Sequence, residues 1–297
     1  MPHPKARHGL RLHGLTAALL ICLQLSGCPL MAEPTLSLDY ISSTKLNDIA
    51  KDLDEPSGLT ISASTGELWA ISDDTSAVFR FSPSDPEAIT TLPIKESEME
   101  AITLAETAGT FYTINESKGR IASFSVADGK RLEREKIQDM EGYSAIRDTV
   151  KAAGNNNGFE GIAWHPERQS LFALLEGPPG LLVEISADLK RILSSIQLTA
   201  DQGFVDSDKP KAAVDFSGLS YDATRKRFWI VSDQAARVFL YDLEAGKVTQ
   251  SLSLYRLSRK GRRKAIDKAE GVVVSPDGDH LYVVSDSEAS LYQWRIR

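Results

Sequence analysis

Residues 269–286 read AEGVVVSPDGDHLYVVSD, two short apolar segments on either side of a turn sequence. An Asp-Gly pair between β-branched and aromatic residues, here Asp277-Gly278, is a strong signal for a β-hairpin. Tyr282 and Val284 are two positions apart, so they share one face of the second strand. The segment therefore predicts a two-stranded antiparallel unit with one buried face.

The same unit occurs five times along the chain. Its position zero is occupied by Ser57, Glu100, Glu160, Ser217 and Glu270. Position +12 is always aromatic, at Trp69, Tyr112, Phe172, Trp229 and Tyr282. Position +16 is always acidic, at Asp73, Glu116, Glu176, Asp233 and Asp286. A third strand follows each unit, and a fourth is predicted at 88–92, 131–137, 191–198 and 247–254.

Four strands per unit, repeated every 43 to 60 residues, predict an all-β fold of the β-propeller type. We expect five four-stranded blades, or six if an irregular insertion hides a degenerate blade. The fifth unit reaches Arg297 after three strands, and residues 36–40 supply a strand that no unit uses. The N-terminal strand is therefore predicted to complete the last blade, within a single domain spanning 36–297.

The N-terminus is typical of an export signal. Lys5, Arg7 and Arg11 precede an apolar run at 15–25, and Leu25-Ser26-Gly27-Cys28 follows it. One interpretation is an ordinary signal peptide in which Cys28 is incidental. The other is a lipoprotein signal at 1–27 with a tether at 28–35, because the motif resembles the lipobox of bacterial lipoproteins. That resemblance implies a lipid on Cys28, a periplasm-facing membrane anchor in the cell envelope, and leaves inner and outer membrane open.

Charge and composition exclude several classes of protein. The chain has 34 basic and 41 acidic residues, and loss of Lys5, Arg7 and Arg11 with the signal would change its charge from −7 to −10. An acidic mature protein is not expected to bind nucleic acid. Cys22 would leave with the signal and Cys28 would carry lipid, so no disulfide within the mature chain is expected. The sequence leaves the oligomeric state open.

Strand order places positions zero and +16 on one face of the ring, together with long loops at 139–157, 199–214 and 255–267. Glu100, Glu160 and Glu270 are then expected near the central axis, and Ser57 and Ser217 occupy the other two axial places. Clusters of oxygen ligands without His or Cys suit calcium, so the three glutamates are predicted to bind Ca²⁺. For the acids at +16, the alternative is a turn residue that accepts hydrogen bonds from backbone amides, and we favour it there.

The histidines are predicted on the opposite face of the ring, whereas a run of bases is predicted on the acidic face beside Glu270. His165 and His280 fall in hairpins on the opposite face, so a Ser-His-Asp nucleophile is not expected beside the acids. Five bases form one run, at Arg259, Lys260, Arg262, Arg263 and Lys264. The run is either a solvated loop or a dock for an anion, which would be a small phosphorylated ligand or lipid headgroups.

The repeated motifs resemble the YjiK/CarP family, also called SdiA-regulated proteins. The residues that carry the resemblance are Glu55-Pro56-Ser57-Gly58-Leu59, Phe159-Glu160-Gly161-Ile162-Ala163, Asp215-Phe216-Ser217-Gly218-Leu219 and Ala269-Glu270-Gly271-Val272, with the endings Ser72-Asp73, Ser232-Asp233 and Ser285-Asp286. The resemblance implies a β-propeller of the bacterial envelope with a role linked to calcium, and a kinship with propeller phytases and lactonases.

Two functions follow from these expectations. The first is a non-enzymatic propeller that binds calcium and senses or buffers it, or presents the acidic face to a protein or a small anionic ligand. The second is a calcium-dependent hydrolase of a phosphoester or lactone, with a carboxylate such as Glu160 as base. We favour the first, because no catalytic motif accompanies the repeat.

Overall fold

The computed structural model describes residues 34–154 and 158–297, so the expected signal peptide and Cys28 lie outside the described residues. The first strand is β1 (Leu38–Lys45). Blade 1 contains β2 (Pro56–Ile61), β3 (Leu68–Ser72), β4 (Ala77–Ser82) and β5 (Asp85–Pro93). Blade 2 contains β6 (Met99–Ala105), β7 (Thr110–Asn115), β8 (Arg120–Ser125) and β9 (Arg131–Lys136).

A short helix, α1 (Arg147–Ala153), lies in the link that follows blade 2. Blade 3 contains β10 (Phe159–His165), β11 (Ser170–Leu175), β12 (Gly180–Ser186) and β13 (Ile192–Leu198). Blade 4 contains β14 (Gly218–Asp222), β15 (Arg227–Ser232), β16 (Arg237–Asp242) and β17 (Lys247–Ser253). A separate hairpin, β18 (Tyr255–Leu257) and β19 (Arg263–Ala265), precedes β20 (Ala269–Val274), β21 (His280–Ser285) and β22 (Ser290–Ile296).

The fifth blade is completed by the N-terminal strand. Its strand order is β1-β22-β21-β20, with Leu38 opposite Ile296 and Lys45 opposite Ser290. Beyond this pairing, Ser37 and Arg297 exchange two backbone hydrogen bonds of 3.0 Å each. These strands confirm the predicted five blades and the closure of the last blade by the N-terminal strand.

Hydrophobic side chains fill every junction between neighbouring blades. Five apolar clusters occupy these junctions, including the one between blades 5 and 1, where Leu59 and Phe79 pack with Tyr282 and Val284. The aromatic residues at +12 are all buried in these clusters, as are the aliphatic residues at +14, which are Ile71, Ile114, Leu174, Val231 and Val284. Burial of one such side chain, for example Phe172, contributes roughly 1.5–3 kcal/mol. The repeated offsets therefore encode the packing of blade against blade.

The long links differ in structure. The segment predicted as a loop at 255–267 contains the hairpin β18-β19, in which Tyr255 lies opposite Ala265. The Tyr255 hydroxyl donates to the Leu38 carbonyl at 2.9 Å, so the hairpin is fixed against the closing strand. No helix among the described residues is long and apolar enough to span a bilayer.

Candidate metal centre

A cavity of about 190 Å³ lies on the ring axis, at the face where the first strand of each blade begins. The residues that line it are Glu55, Ser57, Asp73, Glu100, Glu116, Glu160, Lys268, Glu270 and Asp286. Seven of these nine described residues are carboxylic acids, and Lys268 is the single base among them. We call this space the acidic cavity. It contains the three glutamates that the sequence predicts near the axis.

Irregularities in the first strands aim the position-zero side chains at the axis. The pairing with the second strand shifts register between Pro56 and Gly58, between Met99 and Ala101, and between Phe159 and Gly161. In blade 5 the shift spans residues 270 and 271. A β-bulge turns the side chain of its extra residue out of the regular alternation. These bulges therefore point Ser57, Glu100, Glu160 and Glu270 into the acidic cavity.

The two axial serines bond the backbone of the next blade. Ser57 Oγ donates to the Met99 carbonyl at 2.6 Å, and Ser217 Oγ donates to the Ala269 carbonyl at 2.7 Å. In both cases the acceptor is the residue just before a position-zero glutamate. The serines thus fix the backbone that carries Glu100 and Glu270.

The acids at +16 do not behave alike. Asp73, Glu116 and Asp286 line the acidic cavity, whereas Glu176 and Asp233 lie beside it and pair with Glu160 and Asp215 respectively. Glu116 accepts a hydrogen bond from the Gly158 amide at 3.0 Å, and Asp233 accepts one from the Gln234 amide at 2.6 Å. These two contacts are of the kind that the turn-acid interpretation predicts. For Glu116, however, the donor is the Gly158 amide, which directly precedes blade 3, so this contact joins two blades.

Carboxylate oxygens come closest together in a different set from the predicted one. One oxygen from each of Glu116, Glu160 and Glu176 lies within 4.8 Å of the other two. Glu55, Asp73 and Asp74 form a second such group. Glu160 is thus the member of the predicted trio that lies in a close cluster, and its partners come from position +16 of blades 2 and 3.

Sequence reasoning missed Glu55, Asp74 and Asp215 as members of this region. Glu55 and Asp215 share position −2 of the repeat, which holds Glu98 in blade 2 and Lys268 in blade 5. A polar residue at this position in four of the five blades is the signal that could have revealed them.

Burial and mutual repulsion hold protons on the axial glutamates. Burial, then the charge of Asp73, raises the pKa of Glu100 to about 7. Burial, then the charge of Asp286, raises the pKa of Glu270 to about 9. The pKa values of Glu160 and Glu176 are raised by burial as well, and the two carboxyl groups share a hydrogen bond. In the absence of a cation, several of these acids are therefore neutral at pH 7.

The bases near this face differ in their distance from the glutamates, since Lys268 lines the acidic cavity and the five bases of the predicted dock do not. Lys268 donates to Asp286, and this hydrogen bond raises the Lys268 pKa. The five bases of the predicted dock are exposed residues in or beside the hairpin β18-β19, and none of these described side chains lines the acidic cavity. The Arg263 guanidinium lies 4.1 Å from the centre of the Tyr255 ring, where a cation–π contact holds it.

The two described histidines lie at the other face, as predicted. His165 ends β10, and its ring stacks on Tyr221 with the ring centres 4.0 Å apart. Burial lowers the pKa of His165. His280 begins β21 and stacks on Tyr282 at 6.3 Å. Neither ring lines the acidic cavity among the described residues, so the donors available there are oxygens, with Lys268 as the single amine.

Comparison with solved structures shows the same kind of fold in several proteins. Myxococcus xanthus glutaminyl cyclase matches at 12% identity with a TM-score of 0.59, over 88% of this chain and 97% of that chain. A luciferin-regenerating enzyme matches at 13% identity with a TM-score of 0.50, over 88% of this chain and 95% of the other. Kuenenia stuttgartiensis hydrazine synthase matches at 14% identity with a TM-score of 0.46, over 78% of this chain, which spans 56% of that chain.

The first two matches establish a shared fold and, at identities this low, carry no activity over to this chain, and nothing is inferred from the match to hydrazine synthase. At the level of sequence, the model of the SdiA-regulated family matches residues 36–293. This range includes all five blades from β2 to β22 except the last residues of β22, and it contains every residue of the acidic cavity. The chain therefore belongs to the SdiA-regulated family.

Proposed function

We propose that this protein is a membrane-anchored β-propeller of the cell envelope that binds calcium in the acidic cavity. Its role would lie in calcium sensing or homeostasis, or in presenting this face to a partner. The observation that carries the proposal is the convergence of seven carboxylic acids, with one lysine, on the axis of the ring.

The residues present fit a calcium ion. Calcium prefers ~6 to 8 oxygen ligands at distances of about 2.3–2.6 Å, so neighbouring ligand oxygens around it are a few ångströms apart. The oxygens of Glu116, Glu160 and Glu176 lie within 4.8 Å of one another, which suits that requirement. Glu100 and Glu270 line the same cavity and would add negative charge. Zinc or copper would be expected to recruit His or Cys, and neither lines the cavity among the described residues.

A bound cation would also change the ionisation of the site. Glu160 and Glu270 now retain protons because burial and neighbouring acids disfavour their charged forms. A divalent ion reverses this balance, so binding would release protons and would strengthen as the pH rises.

The membrane anchor rests on the sequence alone. Leu25-Ser26-Gly27-Cys28 supports a lipid on Cys28, and seven residues, or eight peptide steps, then separate Cys28 from Leu36, which packs against the apolar cluster between blades 4 and 5. An extended chain of that length spans roughly 27 Å at most. The propeller would therefore remain close to the bilayer surface.

Calcium is expected to raise the melting temperature of the purified protein. At a free concentration of 100 times the dissociation constant, binding to the folded state alone adds about 2.7 kcal/mol. For a domain of this size that corresponds to roughly 5–10 °C. The measurement is a thermal melt across a calcium titration after EDTA treatment, with calorimetry for stoichiometry and magnesium as the comparison ion. A melting temperature that does not move across the titration would exclude the proposal.

The hydrolase remains the second candidate, because a carboxyl with a raised pKa, Glu160, lies within the closest group of oxygens. Such a group can act as a general base or acid beside a metal-bound water. We expect no turnover of phosphate monoesters, phytate or lactones, with or without calcium. Calcium-dependent release of phosphate or opening of a lactone, lost in Glu160→Gln, would instead assign the hydrolase.

A further inference from the structure

A second cavity, of about 280 Å³, opens at the opposite end of the ring axis. All five blades contribute residues at positions +3 and +4 of the repeat, including Thr60, Leu104, Trp164, Ser220 and Val273. It shares no described lining residue with the acidic cavity. We call it the apolar cavity. The first strands of neighbouring blades approach closely between the two, since a Cβ on Gly271 would lie 2.5 Å from the Leu59 nitrogen.

The walls of the apolar cavity are mainly hydrocarbon. Ile61, Leu104, Val273 and Val274 lie beside Trp164, which is 9% exposed. The other three tryptophans are buried to 3% or less and do not line the cavity. A concave apolar space with a few polar groups is the usual form of a small-molecule site. The volume of about 280 Å³ lies just below the usual range of about 300–1,000 Å³ for such sites.

The cavity contains hydrogen-bond donors that lack acceptors. Ser220 is more than nine-tenths buried, and its hydroxyl has no hydrogen-bond partner among the described residues. The Thr103 hydroxyl oxygen accepts from the Trp164 amide at 2.9 Å, which leaves its hydrogen free to donate. An unpaired buried hydroxyl is destabilising, so a ligand oxygen that accepted a hydrogen bond from Ser220 would be stabilising.

The charged groups at the rim are already paired. Asp222 accepts from the Arg225 guanidinium at 2.9 Å, and Glu106 accepts from the Ser64 amide at 3.1 Å. No lysine, arginine or histidine lines the cavity among the described residues. An anionic ligand would therefore lose its hydration without gaining a partner of opposite charge, and a cationic ligand would meet two acids that already accept hydrogen bonds.

We propose that the apolar cavity binds a small, neutral, mainly apolar molecule that carries one oxygen acceptor, such as a ketone, ester or ether. Such a molecule places its hydrocarbon part against Leu104, Val273 and Trp164 and accepts a hydrogen bond from Ser220 or Thr103. This site is distinct from the calcium site and does not depend on it.

The test uses 2-acetylnaphthalene, a neutral molecule with two fused rings and one carbonyl, and its charged analogue 2-naphthoate. Calorimetry is expected to show binding of the ketone and at least tenfold weaker binding of the carboxylate. In protein labelled with ¹⁵N-tryptophan, the indole signal of Trp164 should shift, whereas those of Trp229 and Trp294 should not. Trp164→Phe assigns the signal. Failure of the ketone to bind up to its solubility limit overturns the proposal.

Variants locate the bound molecule. Leu104→Trp and Val273→Trp fill the cavity from two different blades, and each is expected to weaken ketone binding at least tenfold. Ser220→Ala removes one hydrogen bond, so a loss of about three- to tenfold is expected. Leu132→Trp adds the same bulk at an exposed site, 51% accessible, and should leave the affinity unchanged.

Two further outcomes separate the proposals. Unchanged affinity in both filled variants, with melting temperatures that show them to be folded, would place the ketone outside the cavity and refute the inference. The triple variant Glu100→Gln, Glu160→Gln, Glu270→Gln should bind the ketone as tightly as the unsubstituted protein does. A loss of ketone binding in that protein would contradict the independence of the two cavities.

Discussion

In the absence of calcium, the Glu100→Gln, Glu160→Gln, Glu270→Gln triple variant is expected to melt at a higher temperature than the unsubstituted protein at pH 8, and not to respond to calcium. Glutamine keeps the size of the side chain and can bond its neighbours, but it cannot ionise. The variant therefore removes the repulsion among buried carboxylates and, with it, the ligands of the proposed ion.

The pH dependence of the stability identifies the buried carboxylates as the cause of the higher melting temperature. The pKa of Glu270 is raised from about 4.5 to about 9, and that of Glu100 to about 7, so the folded state binds more protons than the unfolded state within these windows. Stability then falls as the pH rises, by about 1.4 kcal/mol for each pH unit that one such group spans. The calcium-free protein should thus lose stability from pH 5 to pH 9, whereas the variant should lose much less.

The measurement is a set of thermal melts in EDTA between pH 5 and pH 9, repeated with saturating calcium. A matched control replaces three exposed acids, as Glu87→Gln, Glu133→Gln, Glu141→Gln. It removes the same formal charge and should retain both the calcium response and the fall in stability with pH. A triple variant that responds to calcium like the unsubstituted protein would rule out the axial glutamates as ligands.

Gly218→Ala is expected to destabilise the protein by about 3 kcal/mol or more, the upper end of the usual cost of overpacking. A Cβ at this position would lie 1.8 Å from the Glu270 carbonyl oxygen of the neighbouring blade. That oxygen belongs to the backbone of β20, so it cannot move aside without moving the strand. Blades 4 and 5 would separate at the axis, and Glu270 would be displaced with them.

Gly158→Ala is the matched comparison for this variant. Its Cβ would meet the Glu116 side chain, at 2.1 Å from Cγ, and a flexible side chain can change rotamer. We expect a smaller loss of stability there, accompanied by weaker calcium binding because Glu116 moves. Thermal or urea unfolding of both proteins distinguishes them. Equal stability of Gly218→Ala and Gly158→Ala would show that the blade 4 and blade 5 strands are not held in rigid contact.

The architecture was largely predictable from the sequence because packing between blades repeats at fixed offsets. Trp69, Phe172 and Trp229 share position +12, and each is buried at a junction between blades. An aromatic residue at +12 and an acid at +16 in every unit leave few other arrangements. The closing strand was predictable because the fifth unit has only three strands and residues 36–40 form a strand that no unit uses.

The details of the site were less accessible. The β-bulges at position zero have no clear sequence signature, because Ser57 and Glu160 occupy the same backbone irregularity with different side chains. The clustering of Glu116 with Glu160 depends on the rotation from one blade to the next, which brings the +16 end of blade 2 to the beginning of blade 3. The hairpin β18-β19 was not predictable from the run of bases at 259–264, whose described side chains do not line the acidic cavity.

The pairing of β1 with β22 has a consequence for the order in which the protein is assembled. Asp39 and Arg297 are 258 positions apart, yet their side chains are joined by a hydrogen bond of 2.6 Å. Strand β1 is synthesised first in the domain, and it can pair only after β22, the last strand of the domain, has been synthesised. Contacts between residues this distant in sequence slow folding, because the chain loses conformational entropy before these contacts form. Until β22 has been synthesised, β1 would expose an unpaired edge, which makes it a segment that a chaperone could protect.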